Sequence, residues 1–517
     1  MRKQIYLLLL AIGLSQFTFG QLTGIKTIPG DYGTIAAAIS ALNTSGVGAG
    51  GVTFNVAAGY TETITAPLSI TATGTLANPI IFQKNGAGAN PVITAYVGTN
   101  TPASAVQDGI WNLVGSDYVT IDGINLTDPN STNPATMEYG FGMFKASATD
   151  GCQNNTIKNC TVNLSFVNNV TGSGPSVEGS KAINMINALV TAQTTTVTVT
   201  AASGANSNNK FYSNTLKNCN IGIALIGFAD VTPFTNADTG NDIGGSAIST
   251  GNTIQNFGGA TSATNPAAGI RTLAQYNINV SYNTLVNNNG TGVNHVSTLR
   301  GIYLNTAVSA SATVSYNTIT LTFGGTTSQV SAIENVSGAT AAGNTITISN
   351  NTIQNCTNDL TTSGVWYGIY NNGASAATVN LNNNTFTGNT SKATSGATYL
   401  VYNNGAVPGT INMNNNNLSC SFINTAAYTG AIYSVYNSSG ASTTTLNMNG
   451  NNFSNYTFTT VAGTGSIYYC YNTNANANIS ISNNTWTNLT INNSGSNYLM
   501  YNSTNTQVAL NVNNNSI

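Results

Sequence analysis

Apolar residues recur at a nearly constant interval along the last two-thirds of the chain. Most intervals lie between 31 and 38 residues, and the one long interval, of 59 residues, contains a Thr-rich segment that we interpret as a surface insertion. A repeat of about 33 residues is the signature of a repeat architecture. The recurring residues are Ile157, Leu216, Ile254, Leu285, Ile319, Ile353, Phe386, Leu418, Phe453, Trp486 and Ile517.

An asparagine stands two residues before each of these apolar positions. In most repeats a second apolar residue stands five positions earlier, as Val314 does before Ile319. A strand alternates with period two, so this odd offset predicts a bend between two short strands, and asparagine tolerates the left-handed backbone of a tight bend. Coils stacked ~4.8 Å apart would bring the asparagine amides together in a hydrogen-bonded ladder. The predicted ladder is Asn155, Asn214, Asn252, Asn283, Asn317, Asn351, Asn384, Asn416, Asn451, Asn484 and Asn515.

The segments between the bends favour strands, because they alternate with period two and are rich in Thr, Val and Ile. Near the start, "DYGTIAAAISAL" at 31–42 has helical spacing, and "GGVTFNVAAG" then opens the strands. This helix followed by asparagine-stacked bends resembles the right-handed parallel β-helix of the pectate-lyase-like (pectin lyase fold) superfamily. The resemblance implies an all-β solenoid of about eleven or more coils with a short N-terminal capping helix.

The predicted domain organisation is a signal peptide followed by one solenoid. Residues 1–20 combine a basic start, a short apolar run and a polar cleavage region, which is typical of secretion signals. Residues 21–517 are expected to form one β-helix domain, with the cap and first coil at 24–64 and regular repeats at 150–517. Because a solenoid needs a terminal cap and the sequence stops within a repeat, we expect further coils beyond Ile517. The signal and the resemblance together predict a bacterial extracellular or outer-surface location.

Charge is scarce and unevenly distributed. Only 5% of residues are charged, the formal net charge is −2, and residues 393–517 contain no acidic, basic or histidine side chain. This balance argues against a nucleic-acid partner or an anionic lipid surface. No apolar run is long enough to span a bilayer, and no metal-ligand spacing occurs. We therefore expect a monomeric solenoid without cofactor or metal.

One group of charged residues falls in the middle of the predicted solenoid. The segments "AGIRT", "RGIYL" and "SAIEN" align in consecutive repeats, which places Arg271, Tyr303 and Glu334 in one column. His295 and Arg300 lie close to them in sequence. These residues predict either a small polar site or a patch of solvated ion pairs, with His295 as a loop residue in the second case.

An enzyme of this superfamily would need acids that converge with a base. Lyases of the family are expected to use a carboxylate cluster for calcium with an Arg or Lys base, and hydrolases two or three Asp residues across a cleft. Here the base would be a residue such as Arg271 or Lys145. Asp117 and Asp122, five residues apart, are expected on opposite strand faces as acids that flank turns. The early-coil acids are Asp108, Asp117, Asp122, Asp128, Glu138 and Asp150.

Two tyrosine columns occupy the later repeats. They are three residues apart, so on an unbroken strand they point to opposite faces. We expect the second column to face solvent, because small apolar residues such as Val401 and Val435 precede it, and to bind sugar rings or a partner surface; the alternative is a ladder that only stabilises the sheet. The columns are Tyr367, Tyr399, Tyr433, Tyr468, Tyr498 and Tyr370, Tyr402, Tyr436, Tyr471, Tyr501.

The six cysteines show no clear disulfide framework. Cys160, Cys219 and Cys356 share a repeat position, which indicates small filler residues, and Cys152 with Cys160 is the one pair close enough in sequence to suggest a bridge.

Three functional hypotheses follow from the sequence. The first is an exported, non-catalytic β-helix protein that binds glycan or a partner surface through a lateral Tyr/Asn face. The second is a polysaccharide lyase or glycoside hydrolase of the same fold, and the third is a structural stalk or adhesin spacer.

Overall fold

The computed structural model of the chain describes residues 20–101, 103–130, 136–165, 178–259, 266–288, 295–338, 341–358, 360, 362–372, 376–419, 421–424, 427–460, 463–504 and 508–517. The signal peptide predicted at 1–20 therefore lies, apart from Gly20, outside the described residues, as does Cys420. The described chain is a parallel β-solenoid of about twelve turns with one α-helix. The all-β fold class predicted from the sequence is confirmed.

Three long parallel sheets run along the solenoid, and each coil contributes a strand to at least two of them. Sheet 1 consists of Leu22–Ile28, Val47–Ala57, Ile80–Asn85, Val119–Asp122, Thr156–Lys158, Lys210–Tyr212, Asp242–Ile243, Ile278–Ser281, Ala312–Ser315, Ala341–Ser349, Ala376–Asn380, Thr410–Asn412, Thr445–Asn447, Asn478–Ser480 and Ala509–Asn511. Sheet 2 consists of Thr61–Thr63, Val92–Thr94, Asn125–Thr127, Thr161–Asn163, Thr215–Cys219, Thr253–Phe257, Thr284–Val286, Thr318–Thr320, Thr352–Gln354 and Thr385–Thr387.

Sheet 3 contains thirteen parallel strands among the described residues. It consists of Leu68–Ile70, Gly109–Val114, Tyr139–Lys145, Lys181–Leu189, Ile221–Ile226, Ala267–Leu273, Leu299–Leu304, Val330–Asn335, Trp366–Asn371, Thr398–Asn403, Ile432–Asn437, Ile467–Asn472 and Asn497–Asn502, with Ala192–Thr196 paired antiparallel to the fourth strand. Short parallel ladders join Asp238–Thr239 to Gln275–Tyr276, Thr357–Asn358 to Thr390–Ser391, and Ser421–Asn424 to Thr457–Thr460 and Thr490–Asn492.

The interior is one continuous column of stacked apolar side chains. In sheet 2, Leu285, Ile319, Ile353 and Phe386 pair in register from coil to coil, and all four are fully buried. Their outward neighbours in the same strands are mostly threonines, with Val286 and Gln354 as the exceptions. The alternation of apolar and polar residues read from the sequence therefore corresponds to inside and outside of the solenoid.

The helix α1, Ile35–Ser45, covers the first coils. The Thr34 hydroxyl accepts a hydrogen bond from the Ala37 N–H, and the Glu62 carboxylate accepts from the N–H groups of Ile35 and Ala36. These acceptors satisfy donors that the first helical turn leaves without partners. Its apolar face, which includes Leu42, is buried, so the predicted capping helix is present.

Ten asparagines, nine of them buried and the last, Asn515, half-buried, form one ladder at the bend that precedes sheet 2. The Asn317 amide donates to the Val280 carbonyl at 2.8 Å and to Asn351 Oδ1 at 3.0 Å, while its own oxygen accepts from the backbone and side chain of Asn283 at 3.0 Å each. Each interior amide thus uses both donors and both acceptor positions. The same contacts link Asn214 to Asn515 through every intervening ladder residue.

The expected place of Asn155 in this ladder is wrong. Ile157 pairs with Phe211 in sheet 1, whereas Val162 is the residue that pairs with Leu216 in sheet 2. The Asn155 amide instead donates to Asn209 Oδ1, in a second ladder at the bend before sheet 1. In this early coil a buried side chain that forms hydrogen bonds lies at the bend before sheet 1 and another at the bend before sheet 2. The segment "NNTIKNC" is therefore compatible with either bend, and the sequence alone does not distinguish them.

The left-handed backbone also lies one residue earlier than the sequence suggested. Tyr316, Asn350 and Asn383 have φ between 57° and 60°, and each directly precedes a ladder asparagine. The ladder residue itself turns its amide inward, where it bonds to neighbouring coils. One residue of the bend therefore adopts the left-handed backbone, and the next residue supplies the buried amide.

The cysteines of the described chain are free and buried: Cys152, Cys160, Cys219, Cys356 and Cys470. The suggested Cys152–Cys160 bridge is wrong, because the two thiols bond to different carbonyls, those of Phe144 and Lys158. Burial raises the pKa of both thiols to about 12, so they remain protonated and act as small fillers.

We expect Asn317→Ala to destabilise the solenoid by about 1–3 kcal/mol, because it leaves the buried backbone N–H of Asn283 without its acceptor. Urea denaturation followed by circular dichroism measures the loss. Thr320→Ala, a half-buried outward position in the same coil, is the control. Equal midpoints for the two variants would contradict the structural role of the ladder.

Candidate functional site

The two tyrosine columns lie together on the outer face of sheet 3. In Thr398–Asn403 the outward residues are Tyr399 and Tyr402, and between them Leu400 and Val401 are both buried. Two consecutive inward residues require a local departure from strict alternation, and this brings both tyrosines to the outside. The prediction that the columns face opposite sides is therefore wrong, since it assumed an unbroken period of two.

The rings of the two columns stack on each other in a double row. Within one coil, Tyr367 and Tyr370 have centroids 4.2 Å apart, and between coils Tyr370 and Tyr402 lie 5.1 Å apart with an interplanar angle of 2°. Tyr402 and Tyr436 continue the row at 4.7 Å. In these coils neighbouring rings therefore cover one another's faces, and the surface presents ring edges and hydroxyl groups, whereas in the last coil Tyr501 stands at 76° to Tyr498. This arrangement does not offer the open ring faces that sugar stacking, as expected from the sequence, would use.

The phenol hydroxyls form contacts with polar residues of the next coil. Tyr402 Oη lies 3.0 Å from Ser438 Oγ, and Tyr436 Oη lies 3.3 Å from Thr473 Oγ1. Burial raises the pKa of Tyr370 to about 12. Tyr370 is therefore neutral near pH 7, and a phenol hydroxyl can both donate and accept hydrogen bonds. Exposure increases along the row, from 8% for Tyr370 to 37% for Tyr501.

Charged residues meet the tyrosine row at its N-terminal end. Arg271, Tyr303, Glu334 and Tyr370 pair in register on successive strands of sheet 3. The Arg300 guanidinium lies 4.1 Å from the Tyr303 ring centroid and bonds to the Glu334 carboxylate at 2.6 Å. The sequence alignment of this column is therefore reproduced in the register of the strands.

Each charge in this group is compensated. Arg271 forms an ion pair with Glu178, and both are largely buried. Burial lowers the pKa of Arg271 to about 10, which still leaves it protonated near pH 7. Glu334 also accepts from Gln329 Nε2 at 2.9 Å and Asn372 Nδ2 at 3.3 Å. The result is a neutral, tightly bonded cluster rather than a patch of free charge.

His295 does not share the contacts of this cluster. Its Nδ1 accepts from the Gly259 N–H at 3.1 Å, and its Nε2 lies 3.2 Å from the Thr298 carbonyl. The ring is fully buried, and burial lowers its pKa to about 4. These contacts join two loop segments and are compatible with the neutral tautomer that carries its proton on Nε2.

Most early-coil charged residues hold loops in place. Asp108 accepts from the N–H groups of Thr99 and Asn100 at 2.7 Å each, and the Glu138 carboxylate accepts from the Asp108 N–H at 2.8 Å. Lys145, named as a candidate base, is fully buried and lies 3.8 Å from the equally buried Asp238. A buried, paired lysine is not accessible to a polysaccharide.

The remaining acids lie in different environments: Asp150 is exposed, Asp117 is half-buried and Asp128 is buried. Asp122 bonds to Lys158 at 3.1 Å on the outside of sheet 1. Asp117 precedes that strand, separated from it by a left-handed residue, Tyr118, so the two acids do not share one unbroken strand. Burial raises the pKa of Asp117 to about 6, and the charge of Asp150 adds to the effect. Burial also raises the pKa values of Asp128 and Asp150.

A further asparagine ladder follows the tyrosine columns and was missed in the sequence. Each of its residues comes directly after the second tyrosine column or its equivalent, so the repeated pair "YN" is the signal that could have revealed it. The amides bond from coil to coil at 2.6–2.9 Å. This ladder fixes the bend at the end of the last six strands of sheet 3 and thereby the register of the tyrosines. Its members are Asn335, Asn371, Asn403, Asn437, Asn472 and Asn502.

Within the part of the chain that the structure describes, no three His, Cys, Asp or Glu side chains form a group that could hold a metal ion. No helix among the same residues is long and apolar enough to cross a bilayer.

No family model and no curated protein matches the chain. Among solved structures it is similar to the GH136 lacto-N-biosidase from Eubacterium ramulus, with a TM-score of 0.43 and 12% identity over 72% of this chain and 62% of that one. It is also similar to an alginate lyase from Paenibacillus sp. (TM-score 0.29, 13% identity, 83% and 97% covered) and to the mannuronan C-5 epimerase AlgE6 A-module of Azotobacter vinelandii (TM-score 0.29, 14% identity, 94% and 98% covered). The chain thus spans less than two-thirds of the biosidase. The parallel β-solenoid predicted from the sequence is shown by the strand pairing of the structure itself.

The single histidine of the chain allows a direct test of its environment. We expect His295 in the untagged protein to titrate with a pKa of about 4, measured by NMR on histidine-labelled protein. Because an unfolded histidine protonates near pH 6.5, this group favours the folded state above that pH, and the contribution is lost as pH falls from about 6.5 towards 4. Titration near pH 6.5 in the folded protein would contradict the buried position.

Asp238→Asn leaves the buried Lys145 ammonium without its charge partner, and we expect a loss of about 3–5 kcal/mol in unfolding free energy. Asp122→Asn, which breaks the partly exposed pair with Lys158, is the matched control and is expected to cost about 0–1 kcal/mol. Urea denaturation measures both. Similar losses for the two variants would contradict the assignment of Lys145 and Asp238 as a buried structural pair.

Proposed function

We propose that this chain is an exported β-helix protein that binds a neutral polysaccharide along the outer face of sheet 3. The observation that carries the proposal is the double row of ten tyrosines, whose edges and hydroxyls form a regular, uncharged surface. Five coils at ~4.8 Å each give the row a length of about 20 Å. A polysaccharide laid along the solenoid axis would meet the same polar groups once per coil.

The chemistry of this face suits sugar hydroxyls. Phenol hydroxyls can donate and accept, and Ser438 and Thr473 place further hydroxyls beside those of Tyr402 and Tyr436. Ring edges supply apolar contact without a charge to desolvate. Binding in this mode depends on hydroxyl contacts along the row, with ring-face stacking restricted by the neighbouring rings.

The electrostatics favour a neutral rather than an anionic polymer. Arg271 and Arg300 adjoin the row, but Glu178 and Glu334 compensate them. Residues 393–517, which supply four of the five tyrosine coils, contain no charged side chain. An acidic polysaccharide would therefore find no excess positive charge along this face.

A polysaccharide lyase or glycoside hydrolase is the second candidate, and two of the three similar structures are named as enzymes of these kinds. The observation in its favour is Asp117, whose pKa burial raises to about 6, with the charge of Asp150 contributing. Two interacting carboxyl groups of unequal pKa are what acid and base roles require. In this case Asp117→Asn would abolish product release while leaving the tyrosine row unchanged.

The test is binding of the purified protein to cellulose, xylan and starch, compared with a Tyr402→Phe/Tyr436→Phe/Tyr471→Phe variant. The variant keeps the stacked rings and removes three hydroxyls, so we expect binding at least about tenfold weaker, at roughly 0.5–1.5 kcal/mol for each hydrogen bond. Tyr282→Phe/Tyr316→Phe alters another stacked pair, with centroids 4.8 Å apart, and is expected to bind like the unmodified protein.

Release of reducing ends or of unsaturated sugars is followed in the same samples. Binding that both variants retain would overturn the proposed role of the tyrosine row, and absence of binding would favour the structural stalk. Product release that depends on Asp117 would establish the enzyme instead.

A further inference from the structure

A second feature of sheet 3 lies in its N-terminal half, away from the tyrosine row. A cavity of about 290 Å³ opens where the strands Lys181–Leu189, Ile221–Ile226 and Ala267–Leu273 end. The antiparallel strand Ala192–Thr196 forms one of its walls. The cavity is roughly twice the ~150 Å³ of an engineered apolar cavity that binds benzene, so it can hold a molecule larger than one aromatic ring.

Most of the lining is apolar and none of it is charged. Ile186, Ala188, Ile226, Phe228 and Leu273 contribute the apolar side chains, and the first three are buried. Such walls favour an uncharged, largely apolar occupant, because a charged group would lose its hydration without gaining an ionic partner.

Two amide oxygens at this cavity accept no hydrogen bond within the described residues. The side chains of Asn187 and Gln193 line it and are each only 1% exposed. Asn187 Nδ2 donates to the Val197 carbonyl at 2.8 Å, and Gln193 Nε2 donates to the Val190 carbonyl at 3.1 Å, while Asn187 Oδ1 and Gln193 Oε1 are left without donors. Because the nitrogens are already engaged, flipping either amide would lose the observed bonds. Buried acceptors of this kind normally have a partner.

We propose that this cavity binds a small uncharged molecule with an apolar body and at least one hydroxyl or N–H group that donates to Gln193 Oε1 or Asn187 Oδ1. The apolar walls supply most of the shape of the site and the two oxygens supply acceptors without a donor, while Thr194, Thr195 and Thr196 add hydroxyl groups to the lining. The site is independent of the tyrosine row, which begins several coils further along the same sheet.

The test compares 2-naphthol with naphthalene, which has the same ring system and no donor. Equilibrium dialysis against the whole protein measures both affinities. We expect 2-naphthol to bind at least about fivefold more tightly after correction for the solubility of the two compounds, the ratio that one buried hydrogen bond provides. The difference is expected to disappear in Gln193→Leu if Gln193 is the acceptor, or in Asn187→Leu if Asn187 is.

Ile226→Trp fills the cavity and is expected to abolish binding of both compounds. Gln354→Leu, on the outside of sheet 2, is the control for adding leucine to the surface and should leave both affinities unchanged. Circular dichroism confirms that each variant is folded. Equal binding of the two compounds, binding that survives Ile226→Trp, or no binding by the unmodified protein would overturn the proposal, the last outcome indicating a cavity that holds only water.

Discussion

The coil-to-coil register is the constraint on which the rest of the structure depends. Every coil must present the same groups at the same height, because parallel strands exchange backbone hydrogen bonds at a fixed separation. The buried asparagine ladders enforce this register at the bends, where the backbone leaves the sheets. An amide is suited to the position because it offers donors to one neighbour and an acceptor to the other, and so leaves no buried polar group unpaired.

Register at the bends determines what the outer faces can do. The ladder from Asn335 to Asn502 ends the last six strands of sheet 3 at the same point, so the tyrosines of these coils are brought to the same height. Stacking of these rings contributes to stability, and it also decides which part of each ring meets solvent. The proposed binding surface is thus a consequence of the fold's own periodicity, with hydroxyls and ring edges outward.

The solenoid could be predicted from the sequence because its repeat of about 33 residues is strongly periodic. The helical spacing occurs in one short segment near the start, apart from the repeats. The capping helix and the in-register column through Arg271 and Glu334 were also predictable, since both follow from spacing alone. The orientation of the tyrosines was not, because Leu400 and Val401 both turn inward and break the alternation on which the argument relied. Asn155 was misplaced because two bends of one coil use the same local sequence. The cavity beside Gln193 depends on loops that do not repeat, so periodicity carried no information about it.

We propose that a polysaccharide lies along the tyrosine row, and nitration footprinting measures this contact. The protein is treated with tetranitromethane with and without a bound polysaccharide, and nitrated tyrosines are located by mass spectrometry. We expect protection of exposed members of the row such as Tyr501, with no change at Tyr316, which is 50% exposed on another face. Protection at Tyr316 with none along the row would contradict it.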